Sequence, residues 1–359
     1  MSQQIRVGIV GCGEVAQVIH LPALRDLADL FRVTALCDVS PSVLETVGGQ
    51  WPTAAHHADY RDLVASADVD AVLVANPNVY HAEVAIAAIE AGKHVLIEKP
   101  YCVSLAEADA LEAAAEKAGV TVQVGFMRRH APAFTEAVRH LEGRRGDILL
   151  ARVHDVIGPN ARIIDSTSKV ARGKDVPEAV LEEGRKRMSA AAKAAIGAGE
   201  GPKFAAYNLL LGLSSHDISA MRELLGRPKA VLNATQRNGG RALTASFDYG
   251  HFVCQFETAV DQIPHFDAHL EVVTPTEILR IDYDTPYIRH LPAKLTILKG
   301  HGTAGTSTDT SFPTRYDSFG VEWRDFHANV TERRTPKTSL TDARADLEIF
   351  RDMVALMNE

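Results

Sequence analysis

The sequence predicts an α/β protein of two domains, the first built on a doubly wound parallel sheet and the second on a mostly antiparallel sheet. Its 359 residues are enough for two domains of about 150 residues each. Short apolar runs alternate with helical patterns up to residue 126, which is typical of βαβ units. After Pro132 the segments become β-rich and several alternate between apolar and polar residues. We therefore place residues 1–126 in the first domain and 127–359 in the second.

Composition excludes several classes of function. The chain has 38 basic and 46 acidic residues, a formal charge of −8. It therefore has no excess of positive charge with which to bind the phosphate backbone of a nucleic acid. No apolar run approaches the roughly 18 residues of a membrane helix, and the N-terminus lacks the features of an export signal. The cysteines are not spaced as metal ligands, so we expect no metal site, free thiols in the core and a cytoplasmic location. They are Cys12, Cys37, Cys102 and Cys254.

The first half of the chain is predicted to contain strands that are buried on both faces, because its apolar runs are nearly continuous. These runs are Ile5–Val10, Val33–Asp38, Ala71–Ala75, His94–Glu98 and Thr121–Phe126. The helical patterns between them are Glu14–Leu27, Tyr60–Ala67, Tyr80–Ala91 and Leu105–Ala118. Gly92 and Gly119 follow two of these helices at positions that favour a left-handed residue.

The second half predicts strands that pair with their neighbours. They are Ile148–Asp155, Val231–Gln236, Ala242–Asp248, His251–Thr258, Ala268–Thr274 and Glu277–Tyr283. In His251–Thr258 the residues Phe252, Cys254 and Phe256 share one face, which indicates a sheet with one face packed. Short turns after Asp248 and at Thr274 favour antiparallel pairing. Two helices, about Ser318–Thr331 and Leu340–Met357, are predicted near the end of the chain.

Residues 159–203 fit neither pattern. This polar excursion contains one helical stretch, about Pro177–Ile196, which Gly197 ends. The excursion is compatible with a lid, an oligomer contact or a decoration, and a lid over an enlarged pocket would suit a glycoside.

A glycine motif follows the first strand directly and opens a helix. In Gly11-Cys-Gly-Glu-Val-Ala16, Gly11 permits a tight turn and Gly13 lets a diphosphate approach the N–H groups of the helix. Asp38 ends the second strand, where a carboxylate accepts hydrogen bonds from ribose hydroxyls and repels a 2′-phosphate. Val39 and Ser40 offer no cation for that phosphate, so the expected cofactor is NAD rather than NADP.

Two further strings follow strands of the same sheet. Asn76–His81 follows the third strand and Glu98-Lys-Pro100 the fourth, and doubly wound sheets bind ligands at such carboxyl ends. Lys99, in a crevice poor in water and beside a cationic ring, would lose its proton readily and could polarise a substrate hydroxyl. An isolated lysine before proline is more often a surface cation.

Taken together, several strings resemble the glucose–fructose oxidoreductase/inositol dehydrogenase (Gfo/Idh/MocA) family. They are Gly11–Ala16, His20–Leu24, Asn76–His81, Ala91–Pro100 and Gly125–Arg129, and the resemblance resumes at His216. The resemblance implies a Rossmann domain, a second α/β domain with an open, mostly antiparallel sheet, and tightly held NAD(P). It also implies a sugar, cyclitol or related substrate and homo-oligomers formed through the open sheet.

The same resemblance assigns two catalytic residues. Lys99 matches the active-site lysine, whose peptide bond to Pro100 is often cis in the family, and His216 matches the catalytic histidine. The family's aspartate, four residues before that histidine, is Gly212 here. Asp217 points elsewhere on the helix, so the orientation of the lysine would have to come from Asp155, Asp282 or the region of Asp165.

Other positions are expected to contact ligands. Residues expected to contact the cofactor are Gly11, Gly13, Glu14, Val15, Asp38, Asn76, Pro77, His81, Glu98, Lys99 and Arg128. Arg128 and Met127 follow the last strand of the first sheet and are expected to face the cleft. Residues expected to contact the substrate are Met127, Arg128, His154, Asp155, Tyr207, Asp282, Tyr283 and Tyr287.

The sequence therefore predicts an NAD-dependent dehydrogenase that oxidises a secondary hydroxyl of a sugar, cyclitol or glycoside. Lys99 would polarise the oxygen and His216 would act as general base. Two alternatives remain open: an NAD-retaining glycosidase or lyase that uses transient oxidation, and a non-catalytic NAD sensor. The exact substrate, its stereochemistry, the oxidised carbon, the direction of the reaction and the number of subunits are not encoded in these patterns.

Overall fold

The computed structural model describes residues 4–314 and 316–358, which divide into two compact units. The first unit comprises the chain up to Gly125, Ser168–Gly199 and Glu322–Leu347. The second comprises Phe126–Thr167, Glu200–Val321 and the chain from Glu348 onward. The placement of a domain boundary at residues 126/127 stays a prediction.

Fourteen strands and twelve α-helices are present in the described residues. The strands are β1 (Ile5–Val10), β2 (Phe31–Cys37), β3 (Ala55–His57), β4 (Ala71–Val74), β5 (His94–Glu98), β6 (Val122–Gly125), β7 (Leu150–Ile157), β8 (Ala230–Arg237), β9 (Ala242–Asp248), β10 (Val253–Val260), β11 (Phe266–Val273), β12 (Glu277–Tyr283), β13 (Lys294–Gly300) and β14 (Thr306–Ser311). The helices are α1 (Leu21–Asp26), α2 (Pro41–Gly48), α3 (Tyr60–Ala65), α4 (His81–Glu90), α5 (Leu105–Ala118), α6 (Pro132–Leu141), α7 (Asn160–Thr167), α8 (Glu178–Ile196), α9 (Gly201–Leu209), α10 (Ser215–Leu225), α11 (Ser318–Thr331) and α12 (Leu340–Leu356).

The first sheet is entirely parallel, in the order β3-β2-β1-β4-β5-β6. Its central strands are buried on both faces, which explains their continuous apolar runs. Val10 pairs with Val74, and Val74 pairs with Ile97. The carboxyl ends of β1, β4 and β5 therefore lie side by side, and the residues that follow these strands share one edge of the sheet. The predicted doubly wound parallel sheet is confirmed.

Helix boundaries in the first unit follow local capping. Ser104 begins α5 with a reciprocal capping box to Glu107, and Gly119 ends it with φ +66°. The predicted bounds of α5 and the role of Gly119 are confirmed. The sequence analysis missed α2 and β3. The strand β3 has only three residues, none of them fully buried, so it carries no apolar run.

The second sheet has the order β14-β13-β12-β11-β7-β10-β9-β8 and is open at both edges. Every pair is antiparallel except β7 with β10. The predicted alternation is confirmed, since Phe252, Cys254 and Phe256 are buried while their neighbours are more exposed. The sequence analysis missed β14, a polar edge strand without an apolar face.

The excursion at 159–203 differs from its prediction. It contains α7 as well as α8, and α9 begins within it at Gly201. The prediction of a single helix was wrong because α7 has eight mostly polar residues, of which only Ile164 is buried. A separate expectation, that the four cysteines are free and buried, is confirmed.

We predict that Phe256→Ala destabilises the protein by about 3–5 kcal/mol, because it removes a buried ring and leaves a cavity. Phe256 is 1% exposed and packs edge-on against Phe247. The control is Gln255→Ala on the exposed face of the same strand, which should cost no more than about 1 kcal/mol. Urea unfolding measures both values. Equal losses of unfolding free energy in the two variants would contradict the burial of the face of β10 that carries Phe256.

Candidate active site

A tight turn after β1 brings two strand ends together. Gly11 has φ +94°, and a Cβ at this position would lie 2.4 Å from the backbone nitrogen of Asn76. No side chain fits there, so glycine is required both for the conformation and for the approach to the end of β4. The glycine motif therefore lies directly beside the string that begins at Asn76.

The surroundings of this turn fit a dinucleotide. A Cβ at Gly13 would meet nothing within 4 Å, so the backbone is open to a ligand. Among residues 4–314 and 316–358 nothing hydrogen-bonds the buried Oδ1 of Asn76. Asp38 accepts hydrogen bonds from the N–H groups of Cys12 at 2.8 Å and Ser40 at 2.9 Å. The carboxylate of Asp38 is thereby held beside the glycine turn, where ribose hydroxyls would bind.

His81 connects the two loops that follow β4 and β5. Its Nδ1 lies 2.7 Å from the carbonyl oxygen of Pro100, and its Nε2 lies 2.6 Å from that of Asn76. Burial lowers the pKa of His81, and the two carbonyls oppose this shift. The side chain holds the loops together, and its predicted contact with the cofactor stays a prediction.

A buried hydrogen-bond chain positions Lys99. The Trp323 N–H donates to Nδ1 of His20 at 3.1 Å, which leaves Nε2 of His20 to donate to Glu98 at 2.8 Å. The other oxygen of Glu98 accepts from the Lys99 N–H at 3.1 Å. Burial raises the pKa of Glu98, but the hydrogen bond and the nearby positive charges outweigh it, so the pKa stays below its usual range.

The peptide bond between Lys99 and Pro100 is cis, as the resemblance implied. Lys99 is half-buried at the end of β5. Glu98 itself is buried and engaged by its neighbours. Its position indicates that it orients the Lys99 backbone, while its predicted contact with the cofactor stays a prediction.

His216 lies in the second unit, at the second residue of α10, and is half-buried. A π-helical turn over Leu210–Ser214 precedes it and contains Gly212. Turns of this kind are frequent at functional sites. A Cβ at Gly212 would meet nothing within 4 Å, so the fold leaves room for a side chain at the position where the resemblance implied an aspartate.

Arg128 does not face a cleft as expected. It is 1% exposed within the second unit, and its guanidinium binds Asp217 and, at 3.0 Å, Asp155. The rings of Phe266 and Tyr283 lie 5.6 Å and 5.2 Å from it. Two carboxyl groups and two aromatic faces therefore surround this cation, and its predicted contacts with the cofactor and the substrate stay predictions.

The sheet separates the residues expected to contact substrate. His154 and Asp155 are adjacent on β7, as are Asp282 and Tyr283 on β12, so each pair points to opposite faces. Asp155 and Tyr283 lie on the covered face with Arg128, whereas Asp282 binds Arg280 at 2.7 Å on the other face. Their predicted contacts with the substrate stay predictions.

The remaining candidates are described within their own units, and their predicted ligand contacts stay predictions. Met127 and Tyr283 line a small pocket of about 30 Å³ in the second unit. Tyr207 is 1% exposed within α9, and Tyr287 is half-buried after β12. Glu14 binds Arg172 at 2.7 Å. Val15 is half-buried and Pro77 is exposed.

His154 belongs to an ionic cluster on the open face of the second sheet. It stacks on His269 with ring centres 4.7 Å apart, and both imidazoles contact Asp267. The nitrogens and oxygens of these three residues lie within 4.8 Å of one another. A guanidinium nitrogen of Arg280 lies 3.1 Å from Nδ1 of His269, so a protein cation already occupies this cluster.

A groove of about 1160 Å³ opens at the other end of the first sheet. It is lined by residues at the amino ends of the strands, among them Arg6, Asp70 and His94. Ligands of doubly wound sheets bind at the carboxyl ends. This groove is therefore separate from the site formed by the glycine turn and Lys99.

Sequence reasoning missed two acidic residues. It dismissed Asp217, which the structure places against Arg128, and it did not single out Asp175, whose carboxylate binds Ser40 and Ser42. No local pattern signals either contact, because the partners are separated by 89 and 135 residues respectively.

Comparisons with known proteins agree with the fold and with the first half of the chain. A family model described as an oxidoreductase family with an NAD-binding Rossmann fold matches residues 5–126. Inositol 2-dehydrogenase of Salmonella typhimurium is 35% identical over 128 residues, which cover 35% of this chain and 38% of that protein. Matches to curated relatives span 30% to 48% of the length of those relatives.

Two solved structures match nearly the whole chain. The 3-ketoreductase of Actinomadura kijaniata, in complex with NADP and TDP-benzene, has a TM-score of 0.76 at 21% identity and covers 99% of this chain and 98% of its own. Levoglucosan dehydrogenase, in complex with NADH and levoglucosan, has a TM-score of 0.77 at 19% identity and covers 98% of this chain and 97% of its own. At these identities the likeness establishes the fold of both units. No described helix combines the length and the hydropathy needed to cross a bilayer.

We predict that the wild-type protein loses stability as the pH rises because of Asp217. The Asp217→Asn variant should not show this loss. Burial, with the nearby Asp155, raises the pKa of Asp217 well above its usual value, although Arg128 opposes this shift. Since the folded pKa lies above the unfolded value of about 3.9, the folded state binds the proton more tightly. This contribution to stability is present at acidic pH and is lost as the pH rises through the folded pKa.

Urea unfolding of both proteins at mildly acidic and mildly alkaline pH tests this sign. The free energy of unfolding of the wild type, relative to that of Asp217→Asn, should fall with rising pH. Arg128→Met provides the contrast, because it removes the cation that faces the buried carboxyl groups of Asp155 and Asp217 and should cost about 3–5 kcal/mol. A relative stability that increases with pH would mean that Asp217 is ionised in the folded protein.

Proposed function

We propose, because residues 5–126 match the family model of the Gfo/Idh/MocA oxidoreductases, that the whole protein is an NAD-dependent dehydrogenase. Its substrate would be a sugar, cyclitol or glycoside that presents a secondary hydroxyl. The observation that carries this proposal is the shared edge of the first sheet, where the glycine turn, Asp38 and Lys99 follow neighbouring strands. Such an edge combines a dinucleotide site with an amine that can reach a substrate oxygen.

The proposed chemistry divides between two side chains. Lys99 donates a hydrogen bond to the substrate oxygen and so stabilises negative charge as it develops there. His216 accepts the hydroxyl proton as general base, and the C–O bond becomes a carbonyl. Bound NAD supplies the acceptor for the hydride that leaves the same carbon.

Support for Lys99 comes from its surroundings. The chain from Trp323 through His20 to Glu98 ends on the Lys99 backbone and is buried throughout. A buried chain with defined donors and acceptors fixes the end of β5 more firmly than a surface loop would. This arrangement supplies an orientation for Lys99 that does not depend on a carboxylate at position 212.

NAD is the cofactor that we propose over NADP. Asp38 is held by two backbone N–H groups beside the glycine turn. A 2′-phosphate would meet this carboxylate at close range, whereas ribose hydroxyls would donate to it. Matching structures have been solved with NADP and with NADH, so the preference has to be measured on this protein.

The proposed substrate class rests on the similar proteins. An inositol dehydrogenase and a sugar 3-reductase are among the relatives, and levoglucosan dehydrogenase is among the matching folds. Self-association through the open second sheet and a cytoplasmic location also stay predictions.

We predict that Lys99→Ala and His216→Ala each fold, still bind NAD and lose about 10²–10⁴-fold in turnover, the usual contribution of acid–base groups. Matched controls are Lys117→Ala and His251→Ala, which remove an exposed lysine and an exposed histidine. The assay follows the absorbance of reduced nicotinamide during exposure to a panel of sugars, inositols and glycosides. Calorimetry with NAD tests binding separately.

Accumulation of reduced nicotinamide is the expected result for a dehydrogenase. An enzyme that oxidises its substrate only transiently would cleave a glycoside without net reduction. Full turnover in both the Lys99 and the His216 variant would contradict the assigned roles. NAD binding without hydride exchange on any compound would favour a sensor.

A further inference from the structure

Part of the excursion packs on the dinucleotide edge of its own unit. We call residues 168–196 the strap; they belong to the first unit together with the glycine turn. The strap begins beside that turn and continues into α8. Its polar contacts fall on the segments that follow three strands of the dinucleotide edge, β1, β2 and β4.

The first set of contacts joins the strap to the glycine turn. The amide of Gln17 donates to the carbonyl oxygens of Cys12 at 2.7 Å and Ala171 at 2.9 Å, and accepts from the Ala171 N–H at 2.8 Å. Arg172 donates to Glu14 at 2.7 Å. The Gln17 side chain thus ties the strap backbone to a carbonyl within the glycine motif.

The second set places a carboxylate at the start of α2. Asp175 accepts from the hydroxyls of Ser40 at 2.5 Å and Ser42 at 2.8 Å, and from the Ser42 N–H at 2.9 Å. A Cβ at Gly173 would lie 2.4 Å from the Ser40 hydroxyl, so glycine permits this approach. The N–H groups at a helix N-terminus favour an anion, and here the protein provides one itself.

These hydrogen bonds lower the pKa of Asp175 to about 2. The folded pKa lies below the ordinary value, so the carboxylate remains charged at all pH values above that range. Asp38 accepts from the Ser40 N–H, so two carboxylates flank the same serine.

The third set reaches the loop after β4. Arg187 on α8 donates to Glu83 at 2.7 Å and lies 5.0 Å from the centre of the Tyr80 ring. A Cβ at Gly184 would lie 3.5 Å from the Tyr80 hydroxyl. The strap therefore contacts the segments after β1, β2 and β4. In a Rossmann site the first two of these hold the diphosphate and the adenosine ribose.

We propose that the strap closes the adenosine end of the dinucleotide site, and that Asp175 occupies the place at the start of α2 that a 2′-phosphate would require. The strap then selects NAD against NADP and slows the release of NAD. This inference rests on the proposed function, because it requires that the first unit binds a dinucleotide.

The selection of NAD over NADP is tested on the full chain with the variants Asp175→Ala and Asp175→Asn. Without the carboxylate, a 2′-phosphate can approach the serines and the helix N-terminus, so affinity for NADP should rise about tenfold while affinity for NAD changes less than about twofold. Calorimetry with each dinucleotide measures the dissociation constants directly. Glu178→Gln is the matched control, since it removes the same charge from the strap but contacts Arg185 instead of α2.

Release of NADH is tested with Gln17→Leu, which removes the hydrogen bonds between Gln17 and the strap backbone and leaves the Arg172–Glu14 pair in place. Displacement of bound NADH, followed by its fluorescence, should become at least about fivefold faster, whereas Glu178→Gln should release NADH at the wild-type rate. Circular dichroism establishes that each variant is folded.

The outcomes separate this inference from the proposed function. If neither the wild type nor any variant binds a dinucleotide, the proposed function fails and the strap has no ligand. If the wild type binds NAD but Asp175→Ala gains no affinity for NADP, or Gln17→Leu releases NADH at the wild-type rate, the strap inference is overturned. The inference is also overturned if only the Asp175 variants bind NAD, because the strap would then block the dinucleotide site of the wild-type protein.

Discussion

The approach of Gly11 to the end of β4 is the contact on which the dinucleotide edge depends. A side chain at Gly11 would overlap the backbone at Asn76 and push the glycine turn away from its neighbour strand. The turn, the Asp38 carboxylate and the loop after β4 could not then lie together. Because parallel strands end at the same edge, this one contact sets the geometry of every group that follows β1, β2 and β4.

The second determinant of that edge is a set of buried polar groups that satisfy one another. His20 accepts from Trp323 and donates to Glu98, which in turn accepts from the backbone of Lys99. Each of these groups would be costly to bury alone, and together they define one arrangement of the strand end. His81 adds a second connection, between the loops at Asn76 and Pro100. The protein thus uses a buried hydrogen-bond chain to fix the backbone at Lys99, its candidate catalytic residue.

The second unit buries charge for a different purpose. Arg128 lies between Asp155 and Asp217 under the aromatic rings of Phe266 and Tyr283. Such a cluster adds little net stability compared with an apolar one, but it tolerates few alternative packings. It joins the segment after β6 to β7 and α10, the helix that carries His216. Through Asp217, this cluster connects α10 to the segment after β6.

The sequence by itself determined the parallel sheet, the glycine turn, the alternation of β10 and the bounds of α5, since each depends on residues close together in the chain. It also identified Lys99 and His216 as candidates through short motifs. Only the tertiary structure decided that Arg128 is enclosed, that His154 and Asp155 face opposite ways from the sheet, and that Asp175 binds at the start of α2. Some of those contacts join residues that are far apart in the sequence, and others depend on which face of a sheet is covered. Neither property can be predicted from a local pattern of residues.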